Sequence, residues 1–401
     1  QGEGDTERHS SWCCCGLAVG AVMSRKDCEW EEQHLGGGLM TSRRALFSQD
    51  GRFLFCCVNQ AVRVLSASSG EEVCTLEGHT DTVTAVCPSL KNSLQALTAS
   101  LDGTIRLWDY TDGTLLREYK VGSPVIDMVI SRGSPLLPFL LIRQYVAPSS
   151  GKRQKRASSS SGIAASPVEG GERRSKHVAP RRKTVMVRFK LSKLKSRVLH
   201  SVSGGKASHL CCSEGGEMVA FSSGHKVYLT DVSTLAVESF AHDRAVTALA
   251  FHPTEACIIL GDASGRLILS YRFGPAVSSK QAPSHSGASS SSQQLPGSMN
   301  VPHSVLHWHS HQVTDLVCSL DGNYLFSVGE EAVLVQWQLS THQKQFLPRL
   351  GSPLMGITAS PDGLKLAVVC SDNSIKLVDV VTRAVERTIL GVQSGKTFRN
   401  N

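Results

Sequence analysis

The chain is expected to be all-β, a seven-bladed propeller with two low-complexity loop insertions. Three observations lead there. Turn pairs recur near Asp50-Gly51, Lys91-Asn92, Arg132-Gly133, Glu214-Gly215, Thr254-Glu255, Asp321-Gly322 and Asp362-Gly363, with steps of 41, 41, 82, about 41, about 66 and 41 residues. The two long steps contain Lys/Arg-rich or Ser-rich sequence of about the excess length. One unit ends in Trp108-Asp109, the dipeptide of a WD40-type blade. Such a ring accommodates 401 residues without one oversized core, because each blade packs only on its neighbours.

The blades follow in order from alternating apolar residues between turn signals. Arg44 to Phe47, Arg52 to Val58 and Ala61 to Leu65 form the first. The second is the clearest: Val83 to Val86, Leu94 to Ser100, then a tight Asp102-Gly103 turn into Thr104 to Trp108, and an outer strand Thr114 to Glu118. His79, Ser100, Asp102 and Trp108 are assigned to its structural tetrad. The turn Asp accepts from the His, the His bonds the hydroxyl, and the hydroxyl meets the Trp N–H, so each buried polar group has a partner. Ser, His and Asp also make up a catalytic triad. The blade-like spacing favours the structural role.

In the third blade, Val125 to Ile130 and Leu136 to Ile142 precede a basic low-complexity stretch, and Thr184 to Leu191 returns as a strand. The fourth holds Ala207 to Cys212, Met218 to Ser222 and Lys226 to Thr230. The fifth holds Ala245 to His252, Ala256 to Leu260 and Arg266 to Leu269, with Ser270 at the Trp position. Leu306 to His311 is read as the outer strand and loop entering the sixth, which contains Val313 to Ser319, Tyr324 to Val328 and Ala332 to Trp337. There His309 or His311 takes the loop position and Glu331 replaces the turn Asp. Leu354 to Ser360, Leu364 to Val369 and Ser374 to Val378 complete the seventh. Ring closure removes exposed sheet edges. It is expected to use a strand from the far terminus, either Cys28 to Gln33 or Val385 to Leu390.

The domain plan is therefore a propeller over 23–392, a non-native or disordered extension at 1–22, and a tail at 393–401 leading to a further C-terminal part. A basic Ser-rich disordered insertion occupies 147–182, and a Ser-rich loop occupies 274–300.

Charge is concentrated. Residues 151–197 hold 15 Lys/Arg against Glu169 and Glu172, a balance of +13, while the whole chain carries only +8. An anionic partner should meet that segment first. Lys152, Arg153, Lys155, Arg156, Arg173, Arg174, Arg181, Arg182 and Lys183 are the candidate nuclear-localisation or RNA-phosphate residues. Little aromatic residue is interleaved with them, so contact would be electrostatic rather than by base stacking.

The 13 cysteines show no CxxC pair, and several sit in apolar strand runs where a free thiol acts as a small hydrophobe. His303, His307, His309 and His311 cluster around Trp308 without an acidic or Cys neighbour in sequence, so no metal is assigned. No membrane span, cofactor, catalytic residue or small-molecule substrate is assigned either.

Several segments resemble the first propeller of the WD repeat-containing protein 75 family. They are Arg43 to Ser48, Ser100 to Tyr110, Phe251 to Glu255, Leu306 to His309, Val333 to Trp337, Phe346 to Gly351 and Ser371 to Asn373. Family members carry a second propeller and an acidic tail that this chain lacks, and the 147–182 expansion is not a family feature. The resemblance implies a nucleolar scaffold of the small-subunit processome, in its UtpA-type subcomplex. Such a scaffold would support pre-18S rRNA processing and RNA polymerase I transcription beside other processome proteins, with pre-rRNA contacted through backbone phosphates. The rival reading is a cytosolic WD-repeat adaptor in signalling or ubiquitin ligation.

Overall fold

The computed structural model describes residues 43–146, 181–203, 207–271, 303–347 and 349–391. Every regular element among them is a strand. Blade one comprises β1 (Leu46–Phe47), β2 (Phe53–Val58), β3 (Ala61–Ser66) and β4 (Glu72–Leu76). Blade two has β5 (Val83–Pro88), β6 (Gln95–Ser100), β7 (Thr104–Asp109) and β8 (Thr114–Lys120). Blade three has β9 (Val125–Val129), β10 (Phe139–Val146), β11 (Arg181–Lys190) and β12 (Lys195–Ser203). Blade four has β13 (Ala207–Cys212), β14 (Met218–Ser223), β15 (Lys226–Asp231) and β16 (Val237–Ala241). Blade five has β17 (Val246–Phe251), β18 (Cys257–Asp262), β19 (Arg266–Tyr271) and β20 (His303–His307). Blade six has β21 (Val313–Cys318), β22 (Tyr324–Gly329), β23 (Val335–Gln338) and β24 (Gln343–Phe346). Blade seven has β25 (Leu354–Ala359), β26 (Lys365–Cys370), β27 (Ser374–Asp379) and β28 (Val385–Leu390).

Each blade is a four-stranded antiparallel sheet in sequence order. First strands of successive blades contact one another from blade two round to blade one, so they line the axis of the ring; β5 of blade two meets blade one through β2 and β3. The last strands are the most exposed: β28 shows only Ile389 buried, and β24 shows none. Between each pair of neighbouring blades lies one apolar core. Phe55, Val64 and Leu76 of blade one meet Val83, Val86 and Trp108 of blade two. Ile105 and Tyr119 of blade two then meet Leu140, Val187 and Phe189 of blade three. The pattern continues around the ring.

The seventh core closes it. Ala45, Phe47, Leu54 and Leu65 of blade one pack on Ala367, Val369, Leu377 and Ile389 of blade seven. No exchanged strand is needed, which corrects the closure expected from sequence. Val385–Leu390 is simply the outer strand of blade seven, paired with β27. The rival candidate, Cys28 to Gln33, lies outside the described residues, as do 1–22, 393–401 and the bulk of both insertions.

Inner-strand threonines bolt neighbours together at the repeat spacing. Thr84 Oγ1 donates to the Val125 carbonyl at 2.8 Å, Thr247 to Val313 at 2.6 Å and Thr314 to Leu354 at 2.7 Å. Buried thiols fill these cores. Burial pushes Cys57 and Cys318 up to about 12, so they stay protonated as small hydrophobes.

Blade three departs most from expectation. Its third strand starts at Arg181 rather than Thr184, and its fourth, Lys195–Ser203, was not foreseen. Strands of 8, 10 and 9 residues replace the 6 usual elsewhere, so the hairpin ends project past their neighbours. In blade five the outer strand is His303–His307, shifted from the expected Leu306 to His311.

Candidate functional site

An antiparallel meander places its first and third turns on one rim, and its second turn plus the link to the next blade on the other. His79 stands in the link before β5, and Asp102 in the second turn of blade two, so the two converge on one rim. His79 Nδ1 lies 2.8 Å from Asp102 Oδ2. His79 Nε2 lies 2.7 Å from Thr98 Oγ1, and the Trp108 indole donates to the same oxygen at 2.8 Å. Trp108 fills one lone pair of the hydroxyl, whose own proton then points to Nε2. The imidazole is left to donate from Nδ1 to the carboxylate.

The tetrad hydroxyl is therefore Thr98, correcting the assignment to Ser100. The register explains why. Trp108 sits opposite Ala96, so Thr98 is two residues along the same face and Ser100 four residues along, about 14 Å away. Ser100 Oγ instead donates to the Asp81 carbonyl at 2.8 Å and accepts from the Asp102 amide at 3.1 Å. The missed signal was the ten-residue step from hydroxyl to Trp, which recurs in blade six.

There, His309 Nδ1 lies 3.0 Å from Glu331 Oε2, His309 Nε2 lies 2.9 Å from Ser327 Oγ, and Trp337 donates to Ser327 at 2.9 Å. His309, not His311, holds the loop position. The longer Glu side chain also accepts from the Ser310 and His311 amides at 2.8 and 2.7 Å.

These groups are sealed from substrate: His79 exposes 1% of its side chain and His309 none. Burial lowers the affinity of both imidazoles for a proton, although the adjacent carboxylates oppose it. Burial alone would raise Glu331, but amide and His309 hydrogen bonds outweigh it and hold the carboxyl at about 2. A depressed carboxyl stabilises the fold above its unfolded pKa and loses that contribution as pH falls through its folded pKa. Discounted for screening by solvent at this partly exposed carboxylate, Glu331→Gln should therefore cost on the order of 2 kcal/mol at neutral pH. The gap to wild type should narrow below about pH 4.5 and vanish near pH 2, as read by urea denaturation across pH.

Blade five keeps a fragment of this arrangement. His242, Asp243 and Asp262 offer ligand atoms within 4.8 Å of one another. The Arg266 guanidinium already occupies their centre, 2.7 Å from Asp262 and 3.0 Å from Asp243, so a cationic side chain balances the two carboxylates. The other clustered histidines diverge. His307 approaches the Ser264 carbonyl at 3.3 Å, while His311 faces Glu331 at 3.4 Å and is largely exposed.

Two inner-strand carboxylates were missed by sequence reasoning. Asp127 accepts from the Met128 amide at 2.8 Å and, across the blade boundary, from the Leu210 amide at 3.2 Å. Burial pushes its carboxyl up to about 6, against these amides and the charges of Arg43 and Arg44. Asp315 repeats the device, accepting from Leu316 and from Ile357 of the next blade, both at 2.9 Å. It also pairs with Arg44, just ahead of blade one. Their only sequence signal was one acidic residue inside an apolar inner strand.

Of the basic candidates, Lys152, Arg153, Lys155, Arg156, Arg173 and Arg174 lie outside the described residues. Arg181, Arg182 and Lys183 form one end of β11, opposite Val146, Tyr145 and Gln144. The chain leaves β10 and enters β11 on the rim that carries Asp102. β19 ends and β20 begins at the opposite rim.

The comparisons with known proteins agree with this architecture. A profile described as the WD repeat-containing protein 75 first beta-propeller matches residues 46–278 and 296–373. WD repeat-containing protein 75 of Xenopus laevis is 29% identical over 389 residues, covering 93% of this chain and 40% of that protein. The chain thus spans about two fifths of the length of that relative. U3 small nucleolar RNA-associated protein 17 of Schizosaccharomyces pombe is 41% identical over 90 residues, covering 22% of this chain and 11% of that protein. Among solved structures, the Cps50 (Swd1) beta-propeller domain of Myceliophteria thermophila superposes with a TM-score of 0.56 at 13% identity. It covers 88% of this chain and 96% of that one, a likeness of fold.

Proposed function

Because the chain belongs to the WD repeat-containing protein 75 first-propeller family, we propose that it is a non-enzymatic scaffold of the nucleolar small-subunit processome. In this reading it joins other proteins of the UtpA-type subcomplex on nascent pre-ribosomal RNA. It supports the cleavages that lead to 18S rRNA, and transcription by RNA polymerase I. The observation that carries the reading is similarity around nearly the whole ring to proteins of that name, joined by a relative named for U3 small nucleolar RNA. The geometry is in keeping with it. The side chains most like catalytic machinery, His79, Asp102, His309 and Glu331, are used inside blades to hold strands together. The rims and outer strands are left for partners.

Purification of the tagged protein from cells, followed by mass spectrometry, should recover other processome proteins. Its depletion should lower 18S rRNA and raise unprocessed precursor. Recovery of signalling or ubiquitin-ligase components instead, with a diffuse cytoplasmic signal, would place the chain among general adaptors.

A further inference from the structure

We infer that the β11–β12 hairpin of blade three is a phosphate-binding surface for single-stranded RNA. Residues 181–203 contain Arg181, Arg182, Lys183, Arg188, Lys190, Lys193, Lys195 and Arg197, with no Asp or Glu. Pairing sets Arg188 directly opposite Arg197 and Lys190 directly opposite Lys195. Residues two apart on a strand share a face, so these four cations form one block on the hairpin. The alternate residues Val187, Phe189 and Leu191 are buried against blade two, which turns the block away from that core. Lys190, Lys193, Lys195 and Arg197 are exposed. Among the described residues, neither Arg188 nor any of these four pairs with a carboxylate.

Facing like charges cost up to about 1 kcal/mol a pair. An edge strand does benefit from charge, because charge blocks edge-to-edge aggregation. That need is met elsewhere without repulsion: Arg63 bonds Glu72 in blade one, and Arg106 faces Glu118 in blade two. Among the described strand pairs, no other blade sets Lys or Arg opposite Lys or Arg. A bound polyanion turns this repulsion into attraction, and the cations recur about 7 Å apart along each strand, suited to a linear backbone. β12 is the outermost strand of its sheet, so an extended chain reaches it unobstructed. The choice of RNA over another polyanion rests on the processome reading above.

The test uses the whole chain with Lys195→Glu and Arg197→Glu together, which converts both repulsive pairs to Arg–Glu and Lys–Glu pairs. Its thermal midpoint should equal or exceed that of wild type. Fluorescence anisotropy with a short mixed-sequence single-stranded RNA should show at least a tenfold loss (about one decade) at ~50 mM salt. The slope of log affinity against log salt should shallow by about 3, the value for four phosphate contacts; over ~50 to ~200 mM salt those contacts account for about 50-fold in wild type. Lys195→Ser with Arg197→Ser should fall between. Unchanged RNA affinity in both variants overturns the assignment. So does a loss seen only when Lys152, Arg153, Lys155 and Arg156 are changed to Ser. Displacement of RNA by polyglutamate at equal charge concentration would assign the surface to an acidic protein and overturn it too. Processome co-purification is scored separately, so failure of RNA binding leaves the scaffold reading standing, and the converse holds.

Discussion

Thr98→Val should lower the stability of the ring by about 2–6 kcal/mol, whereas Ser100→Ala should cost only about 1 kcal/mol. The first change is isosteric and opens no cavity. It removes the single oxygen that serves both the Trp108 indole and His79 Nε2, leaving two buried polar groups without partners. Each such orphan costs about 1–3 kcal/mol. Ser100 carries one carbonyl bond and one amide bond at the turn, and its loss strands no indole or imidazole. Thr98→Ser keeps the hydroxyl and should retain most of the stability. The measurement is the urea midpoint at constant slope. Equal losses at positions 98 and 100 would show that the hydroxyl does not act through the tetrad.

Asp315→Ala should cost about 3–5 kcal/mol, the range for removing one partner of a buried, hydrogen-bonded charge. Its carboxylate accepts from its own strand at Leu316 and from blade seven at Ile357, and it holds Arg44 at the start of blade one. One side chain thus ties three blades across the seam where the ring closes. Loss of that tie should appear locally before global unfolding. Amide exchange in β1 and β25 should accelerate first, while β14 and β18 stay protected. Asp315→Asn retains one acceptor oxygen and should fall between. Uniform acceleration around the ring would argue that the seam is held by the Leu54, Val369 and Ile389 core alone.

The two predictions rest on different depths of legibility. Blade two was readable because its signals are local: a Gly turn, alternating apolar residues and a terminal Trp within one repeat. Even so, its sequence alone does not single out the tetrad hydroxyl. Thr98 and Ser100 share a strand face, and only the pairing of Ala96 with Trp108 says which lies within reach of the indole. His309 and His311 pose a similar choice, two positions apart in the link between β20 and β21. The Asp315 tie was not readable, because its partners are 42 residues ahead and 271 residues behind.

What the amino-acid sequence determined alone was the repeat: its period, the number of blades, the places where insertions interrupt it, and the excess of positive charge near the third blade. These follow from short-range preferences, since turn residues and period-two alternation act within a dozen positions. Tertiary structure decided register, closure and surface. It selected Thr98, joined blade one to blade seven by packing rather than by a borrowed strand, and set Arg188 against Arg197. The reason is geometric. Hydrophobic periodicity says which face of a strand turns inward, but not which residue of a neighbouring strand or blade stands opposite. That choice is made when all seven inter-blade cores are satisfied together in a closed ring.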